Sequence, residues 1–287
     1  MKKALLKIRT VYYSTLELIE IFICIIFNIS TLVLPKKDLK KNFQILIVPG
    51  LFGNRFFYRK LQNYLENEGL STEIAEFSKF GIQNQVHELS EILKQSPKNL
   101  TVIAHNTGGL KTMVLPDESR QKIETFLTLG TPFYGSYIFN FTSIFGFFKK
   151  WKYKSEYLQN ILNNSLLFNY FYPFSPISDI SFPPKKSAEF GQGRDWWFDI
   201  PGNYNLVTRS ENLRTLMEFL KSIPAFKNIF EKEIRKEAEI SHPEKILPRP
   251  KHAKKKPQKK IHPTSKKTIK KPFVKKKFGK PIKRKKK

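Results

Sequence analysis

Cysteine is almost absent from this chain of 287 residues, and histidine is scarce. The single cysteine, Cys24, excludes a disulfide within the chain and a cysteine-based metal cluster. No phosphate-binding glycine loop, dinucleotide fingerprint or metal-ligand spacing is present, so no cofactor and no metal is predicted. Of the five histidines, two precede residue 106 and three follow residue 241. The long stretch between them therefore lacks the imidazole that most often serves as a general base.

The charge of the chain is strongly unbalanced, because acidic residues are less than half as numerous as basic ones. Lys and Arg number 52 against 24 Asp and Glu, which gives a net charge of +28. Residues 242–287 hold 21 basic residues and one acid, a net charge of +20, whereas residues 1–241 hold 31 basic and 23 acidic residues, a net charge of +8. The basic character therefore belongs mainly to the C-terminal tail.

Residues 242–287 are predicted to be a disordered tail. They are rich in Lys and Pro and poor in apolar residues, so they cannot bury a core. A flexible polycation binds polyanions, and the predicted partners are anionic lipid headgroups or RNA and other nucleic acid. A solvating tail without a dedicated partner is the alternative. Aromatic residues make up 14% of the whole chain, which excludes disorder throughout.

Residues 1–41 contain an apolar run, LELIEIFICIIFNISTLVL, at residues 16–34. The run just reaches the roughly 17–25 residues that a bilayer-spanning helix needs. Glu17, Glu20 and Asn28 interrupt it and share one face at helical spacing. We predict a membrane segment that spans the bilayer or lies in its interface, and a helix packed on the domain is the alternative. Basic residues flank both ends, so the side of the membrane stays open, with the cytoplasmic side favoured.

Residues 42–241 are predicted to form an α/β domain with a mostly parallel sheet and helices on both faces. Its strands read as continuous apolar runs, as buried parallel strands do, for example FQILIVPG from Phe43 and NLTVIAH from Asn99. Amphipathic helical segments lie between the strands, and residues 55–69 and 85–94 are the first two. This alternation of strand and helix is typical of a parallel sheet.

An aromatic segment follows the fourth predicted strand. Residues 137–174 contain 14 of the 40 aromatic residues of the chain. We predict a cap, about residues 136–175, inserted over the C-terminal edge of the sheet, where α/β proteins keep their ligand sites. Core packing or membrane contact would require a similar composition, and both alternatives stay open.

Three segments resemble, in their order along the chain, the lipase and esterase branch of the α/β-hydrolases. They are PGLFG after the first strand, AHNTGG at the end of the third and TLGTPFYGS at the end of the fourth. The resemblance covers residues 43–234, and TLGTPFYGS is rather specific to that branch. It implies an α/β-hydrolase-like fold and, in the family, ester hydrolysis by a serine, an acid and a histidine in that chain order.

The position that the resemblance assigns to the nucleophile carries an asparagine. The family places a serine on the sharp turn G-x-S-x-G, and the matching stretch here is Ala104-His105-Asn106-Thr107-Gly108. The amide of Asn106 is not a usable nucleophile, and Thr107 lies one residue too late. His105 is interpreted as a structural residue.

The histidine position is substituted as well. PISDISFPP resembles the acid loop of the family and places Asp179 at the acid position. PGNYNL stands where the family has its histidine turn, which puts Asn203 at the histidine position, with Asn205 as the less favoured register. An amide does not take and return a proton near neutral pH. Loss of the nucleophile or the base alone costs on the order of 10⁶-fold in serine hydrolases.

The resemblance also implies an oxyanion hole made of backbone N–H groups, here those of Leu51 and Thr107. Backbone donors persist when side chains change, so a lipid or acyl ligand is a predicted partner. We therefore predict a catalytically inactive lipase- or esterase-like protein, associated with a membrane as a single-pass or monotopic protein, that binds or scaffolds. An active lipase or esterase that cleaves acyl esters is one alternative. A protein that binds polyanions through its tail is the other.

Overall fold

The computed structural model describes residues 2–31, 39–40, 42–50, 53–77, 81–142, 149–179, 181–184, 186–191, 193, 195–227 and 229–230. The chain divides into two units, Met1–Ala238 and Glu239–Lys287. All of the described residues belong to the first unit. The basic tail predicted for residues 242–287 lies outside them, and its disorder stays a prediction.

A parallel sheet forms the centre of the first unit. Its strands, within the described ranges, are β1 (Ile45–Val48), β2 (Thr72–Ile74), β3 (Leu100–His105), β4 (Ile123–Leu129), β5 (Tyr170–Pro176) and β6 (Trp196–Phe198). They lie in the order β2-β1-β3-β4-β5-β6, and each neighbouring pair is parallel. The predicted α/β fold with a parallel sheet is therefore confirmed.

Helices precede, connect and follow these strands. They are α1 (Lys2–Thr31), α2 (Arg55–Asn67), α3 (Ile82–Gln95), α4 (Thr107–Met113), α5 (Asp117–Arg120), α6 (Tyr137–Thr142), α7 (Glu156–Leu162), α8 (Asn205–Thr208) and α9 (Ser210–Ser222). Short 3-10 helices lie at Lys149–Trp151 and Asn163–Leu167. The amphipathic pattern predicted the positions of α2 and α3 closely, because each buries one apolar stripe against the sheet.

Both faces of the sheet are covered by helices. Ile45 and Ile47 of β1 belong to a core cluster that includes side chains of α1, α2, α8 and α9. Leu46 and Val48 belong to the opposite cluster, which includes side chains of α3 and α4. Every residue of β1 and β3 is consequently buried. This double coverage explains why these strands read as unbroken apolar runs.

A separate apolar cluster supports the predicted cap. It combines side chains of α4, α6, the 3-10 helix Lys149–Trp151, α7 and the loop after β5, namely Leu110, Phe139, Trp151, Leu158, Ile161 and Phe182. The end of the cap differs from the prediction, because Tyr170–Pro176 forms β5 and pairs with β4 and β6. Phe171 and Phe174 pack into the core clusters on opposite faces of the sheet. The aromatic composition of this stretch therefore reflects core packing. Residues 143–148 of the predicted cap lie outside the described residues.

The long N-terminal helix α1 packs on the domain beside α2 and α8. Its polar stripe faces inward, since Glu17 and Cys24 are fully buried and Glu20 forms an ion pair with Arg209 at 2.6 Å. Among the described residues, no helix has the length and apolar character needed to cross a membrane. The packing corrects the prediction of a spanning segment, because the stripe that interrupts the apolar run docks the helix on the domain.

Candidate functional site

The turn between β3 and α4 has the backbone of a sharp strand-to-helix elbow. Asn106 lies at its tip with φ 54° and ψ −131°, a conformation that residues other than glycine rarely adopt. Glycines make this close approach possible. A Cβ atom on Gly50 would overlap with the side chain of Asn106, and one on Gly108 would overlap with the carbonyl oxygen of Val48. The elbow places the Asn106 side chain at the carboxyl edge of the sheet.

The structure brings Asn106, Asn203 and Asp179 together in one chain of hydrogen bonds. Nδ2 of Asn106 donates to Oδ1 of Asn203 at 3.4 Å, and Nδ2 of Asn203 donates to Oδ2 of Asp179 at 2.9 Å. The second hydrogen of the Asn203 amide goes to the carbonyl oxygen of Gly130 at 2.5 Å. Asn205 instead donates to the carbonyl oxygens of Tyr13 and Pro201, so Asn203 is the register that contacts Asp179.

Asp179 is held by the loop that follows β5. Its Oδ1 accepts from the backbone N–H groups of Ser181 at 2.8 Å and Phe182 at 3.1 Å. Burial raises the pKa of this carboxyl above its usual value, and the hydrogen bonds from Asn203 and the two N–H groups act in the opposite direction. The acid therefore lies where a base at position 203 would need its partner, but it faces an amide.

The backbone N–H of Thr107 is engaged by the neighbouring side chain. It donates to Oδ1 of Asn106 at 2.5 Å. This N–H is one of the two predicted oxyanion-hole donors, and the other, that of Leu51, lies outside the described residues. The amide oxygen of Asn106 thus stands where a substrate carbonyl oxygen would have to bind. The Thr107 N–H is therefore already engaged in this conformation, and the lipid or acyl ligand stays a prediction.

His105 links Tyr58 of α2 to the backbone of Asn203 as a neutral imidazole. Its Nδ1 lies 2.6 Å from the hydroxyl of Tyr58, and its Nε2 lies 3.0 Å from the carbonyl oxygen of Asn203. A proton on Nε2 satisfies both contacts, because Nε2–H then donates to the carbonyl and the Tyr58 hydroxyl donates to Nδ1. Burial lowers the pKa of His105 to about 4, which keeps the ring neutral. This geometry agrees with the structural role predicted for His105.

Glu17 of α1 inserts its carboxylate into the same region. Its Oε1 accepts from the backbone N–H of Asn203 at 2.6 Å, from the N–H of Tyr204 at 3.3 Å and from the hydroxyl of Ser181. Its Oε2 has no hydrogen-bond partner among the described residues. Gly202, at φ 101°, is required there because a Cβ atom would overlap with Oε2 of Glu17. We call these three donors with Gly202 the Glu17 socket.

The Glu17 socket connects α1 to both loops of the site. Ser181 belongs to the loop that carries Asp179, and Asn203 belongs to the loop after β6. Burial, and next the nearby charge of Asp179, raise the pKa of Glu17 from 4.5 to about 7. Near neutral pH this carboxyl therefore exchanges between its neutral and charged forms.

The side chains brought together here are two amides and one carboxyl, which differ from the hydroxyl, imidazole and carboxyl of a serine hydrolase. The chain from Asn106 through Asn203 to Asp179 contains no hydroxyl and no group that takes and returns a proton near neutral pH. Asn106 and Asn203 are completely buried and Asp179 is 5% exposed, so the described surroundings leave them little contact with solvent. A pocket of about 330 Å³ lies elsewhere, around Ser165 and Tyr172 near the start of β5. The hydrogen bonds of the site connect the loops after β4, β5 and β6 with one another and with α1.

Two residues of the site were missed by sequence reasoning. In the sequence pattern Glu17 is only an interruption of an apolar run, and Tyr58 is only one position of the amphipathic segment 55–69. A carboxylate inside an otherwise apolar helix is a signal that could have marked Glu17, because such a charge is buried only where donors meet it. Nothing in the local pattern distinguishes Tyr58.

The parallel sheet, the elbow at Asn106 and the order of the loops define an α/β-hydrolase-like fold. The chain is similar in structure to the mature lipase BlEst2 of Bacillus licheniformis, with 13% identity, a TM-score of 0.47, and 64% of this chain and 94% of that chain covered. A monoacylglycerol lipase of Paleococcus ferrophilus is similar with 12% identity and a TM-score of 0.48, and the match covers 62% of this chain and 93% of that chain. Est1E of Butyrivibrio proteoclasticus is similar with 15% identity and a TM-score of 0.44, and the match covers 65% of this chain and 92% of that chain. No protein-family model and no curated protein matches the sequence.

Proposed function

We propose that this protein is a catalytically inactive member of the lipase- and esterase-like proteins that works as a binding or scaffold protein at a membrane surface. The observation that carries the proposal is the hydrogen-bonded chain of Asn106, Asn203 and Asp179 at the carboxyl edge of the sheet. Two amides stand where the fold would need a hydroxyl and an imidazole. The geometry of a catalytic triad is present without its chemistry.

The hydrogen bonds at this site support a structural use of the former triad positions. Asn203 uses both amide hydrogens and its backbone N–H and C=O within the fold, through Asp179, Gly130, Glu17 and His105. The side-chain amide of Asn203 thus has both hydrogens in fixed contacts, and an amide does not release and recapture a proton near neutral pH. Asn203 acts instead as a central link between three strand-end loops and α1.

Occupation of the Thr107 N–H by Asn106 argues against an acyl ligand at the oxyanion position. A substrate carbonyl would have to displace the amide oxygen of Asn106, which is held next to it by its own backbone. The proposed scaffold role therefore rests on the surface of the protein and on α1, with the buried site as its internal brace. The alternative function is ester hydrolysis, and at the triad positions none of the described residues is a nucleophile or a base.

A hydrolase assay tests the proposal directly. The purified chain is incubated with a fluorophosphonate probe and with p-nitrophenyl esters of short and long acyl chains. We expect no covalent capture and hydrolysis no faster than with heat-denatured protein, because the site offers neither nucleophile nor base.

The overturning result is stoichiometric capture by the probe or saturable ester hydrolysis. Asn106→Ala and Asp179→Ala then show whether the activity belongs to this site. Activity lost in both variants would make the described chain catalytic after all. Activity retained in both would place a working site elsewhere in the protein, and the proposal would fail on either result.

A further inference from the structure

Helix α1 is inverted relative to an ordinary surface helix. A helix on a soluble domain buries its apolar stripe and exposes its polar one. Here Glu17 and Cys24 are fully buried against the domain, whereas large apolar side chains point outward. The exposed residues lie at helical spacing along one face and are 37% to 66% exposed: Ile8, Val11, Tyr12, Leu18, Ile19, Phe22, Ile25 and Ile26. We call this set the α1 face.

The acidic and the basic residues of α1 occupy different parts of the helix. Its acidic residues, Glu17 and Glu20, both point inward, to the Glu17 socket and to Arg209. The α1 face therefore carries no negative charge. The basic residues of the helix lie in its first turns, at Lys2, Lys3, Lys7 and Arg9. An apolar stripe with positive charge at one end matches a surface that is apolar below and anionic above.

We propose that the α1 face docks on an anionic lipid bilayer, with the helix axis in the plane of the membrane and the apolar side chains in the boundary between headgroups and acyl chains. This inference rests on the proposed function and names its partner and its binding surface. Interfacial helices with such a distribution bury their apolar face by about 5–10 Å and gain further from basic residues near anionic headgroups.

A bilayer fits the α1 face better than a second copy of the chain does. The face extends from Ile8 to Ile26, which at about 1.5 Å per residue is a straight stripe of roughly 27 Å. Two copies that met there would bring together two chains of net charge +28 each. Like charges oppose that association, whereas an anionic surface attracts the same charge.

Vesicle sedimentation with the full chain tests the inference. The vesicles contain phosphatidylcholine alone or with roughly 30% phosphatidylserine, and binding is measured near physiological salt and at about 0.5 M salt, where exposed charges are screened. We expect binding to the anionic vesicles that weakens at high salt without being abolished, because the apolar contact of the α1 face remains.

The variant Leu18→Ser with Phe22→Ser removes two exposed side chains of the α1 face, which are 60% and 64% exposed. We expect its binding at high salt to fall about tenfold or more, since the buried apolar area is lost. The matched control, Leu166→Ser with Leu167→Ser, changes two side chains that are 67% and 57% exposed elsewhere on the domain. It should bind like the native chain.

An environment-sensitive fluorophore on Phe22→Cys gives a readout that does not depend on the serine variants folding. Its emission should shift to the blue on anionic vesicles, and the same label on Leu166→Cys should not respond. Absence of vesicle binding, equal binding of the two serine variants at high salt, or no shift at position 22 would each overturn the inference. So would a lipid-free dimer that the Leu18→Ser, Phe22→Ser variant dissociates. The hydrolase assay uses no vesicles, so its outcome is independent of these.

Discussion

Asn106 and Asn203 are the same residue type with different effects on the site. Asn106 keeps the strained elbow backbone and turns its amide oxygen onto the N–H of Thr107. Asn203 donates to Asp179 and Gly130 and so holds the ends of β4 and β5 together through their following loops. Asn106 therefore occupies the N–H that the family resemblance assigns to the oxyanion hole, and Asn203 forms a fixed link between loops.

Truncation of Asn203 should destabilise the domain strongly. Asn203→Ala leaves Oδ2 of the buried Asp179 and the carbonyl oxygen of Gly130 without a donor, which costs about 2–4 kcal/mol for groups of this kind. Chemical denaturation measures the loss. Asn169→Ala, at an exposed asparagine, should change the free energy of unfolding by less than about 0.5 kcal/mol. Equal effects of the two variants would contradict the central role of Asn203.

Glu17 should make stability depend on pH in a defined window. Its pKa is about 7 in the folded protein against an ordinary 4.5, so between these values the folded state keeps a proton that the unfolded state releases. The free energy of unfolding contributed by Glu17 consequently falls as the pH rises from 4.5 to 7, by on the order of 3 kcal/mol. His105 has the opposite dependence between pH 4 and 6.5, a range that overlaps the window of Glu17, because its neutral form is favoured in the fold.

The variant Glu17→Gln isolates this effect. Glutamine can accept the same hydrogen bonds in the Glu17 socket but does not titrate, and His105 is unchanged in the variant. We expect the stability of Glu17→Gln relative to the native chain to increase by on the order of 3 kcal/mol from pH 4.5 to 7. Urea denaturation at several pH values gives this difference. Glu20→Gln on the same helix is the control, and parallel pH profiles for all three proteins would refute the prediction.

At the scale of the elements, α1 is attached to the sheet through its polar residues. The Glu17 socket joins α1 to the loops after β5 and β6, and Glu20 adds the ion pair with Arg209 at the start of α9. Cys24 lies on the inward side of α1 and is fully buried in the core cluster that contains Ile45 and Ile47. Because it is the single cysteine of the chain, its reactivity reports whether α1 is docked.

Gly202→Ala should loosen α1. A methyl group there would overlap with Oε2 of Glu17, in addition to the strain of φ 101°. We expect Cys24 to react with a thiol reagent at least about tenfold faster in this variant, since a loss of about 1.4 kcal/mol in docking corresponds to that factor. Gly193→Ala, at φ 72° with no atom within 4 Å of the added methyl group, has the backbone strain alone. If both variants labelled Cys24 equally fast, the contact with Glu17 would be irrelevant to docking.

The sequence predicted the elements whose pattern is local. Continuous apolar runs identified β1, β3 and β4, and amphipathic spacing identified α2 and α3, because each pattern follows from burial of that segment alone. The end of the cap was misjudged because aromatic residues suit a cap and a sheet core equally. The prediction of a membrane-spanning segment in α1 was the larger error. An apolar run with a polar stripe suits a helix in a membrane and a helix packed on a domain equally well. The groups that donate hydrogen bonds to Glu17 lie more than 160 residues further along the chain.

The candidate site shows the same division. A motif of small residues around Asn106 predicted the elbow, since only small neighbours allow such a turn. The resemblance of PISDISFPP and PGNYNL to the acid loop and the histidine turn of the family pointed to Asp179 and Asn203, which the structure brings into contact. The capture of the Thr107 N–H by Asn106 depends on the χ angles of one side chain, and no sequence pattern specifies these.

At the scale of the whole molecule, the basic tail should control binding to polyanions. Removal of residues 242–287 lowers the net charge from +28 to +8. The remaining chain contains the whole unit Met1–Ala238, so it should keep the helical signal of its circular dichroism spectrum. We expect its affinity for single-stranded RNA to be lost and the affinity of the full chain to fall steeply with salt. Equal RNA binding by both chains would assign the polyanion site to the domain.

The buried attachment of α1 has a mechanical consequence. A membrane protein tethered by a flexible linker can reorient freely, whereas α1 is fixed to the strand ends by a carboxylate that is completely enclosed. A pull on α1 is therefore transmitted to the loops that carry Asp179 and Asn203, and through them to the sheet. Extraction of the helix and loosening of the domain become a single event. The domain would rest on a membrane in one fixed orientation and leave it only as a whole.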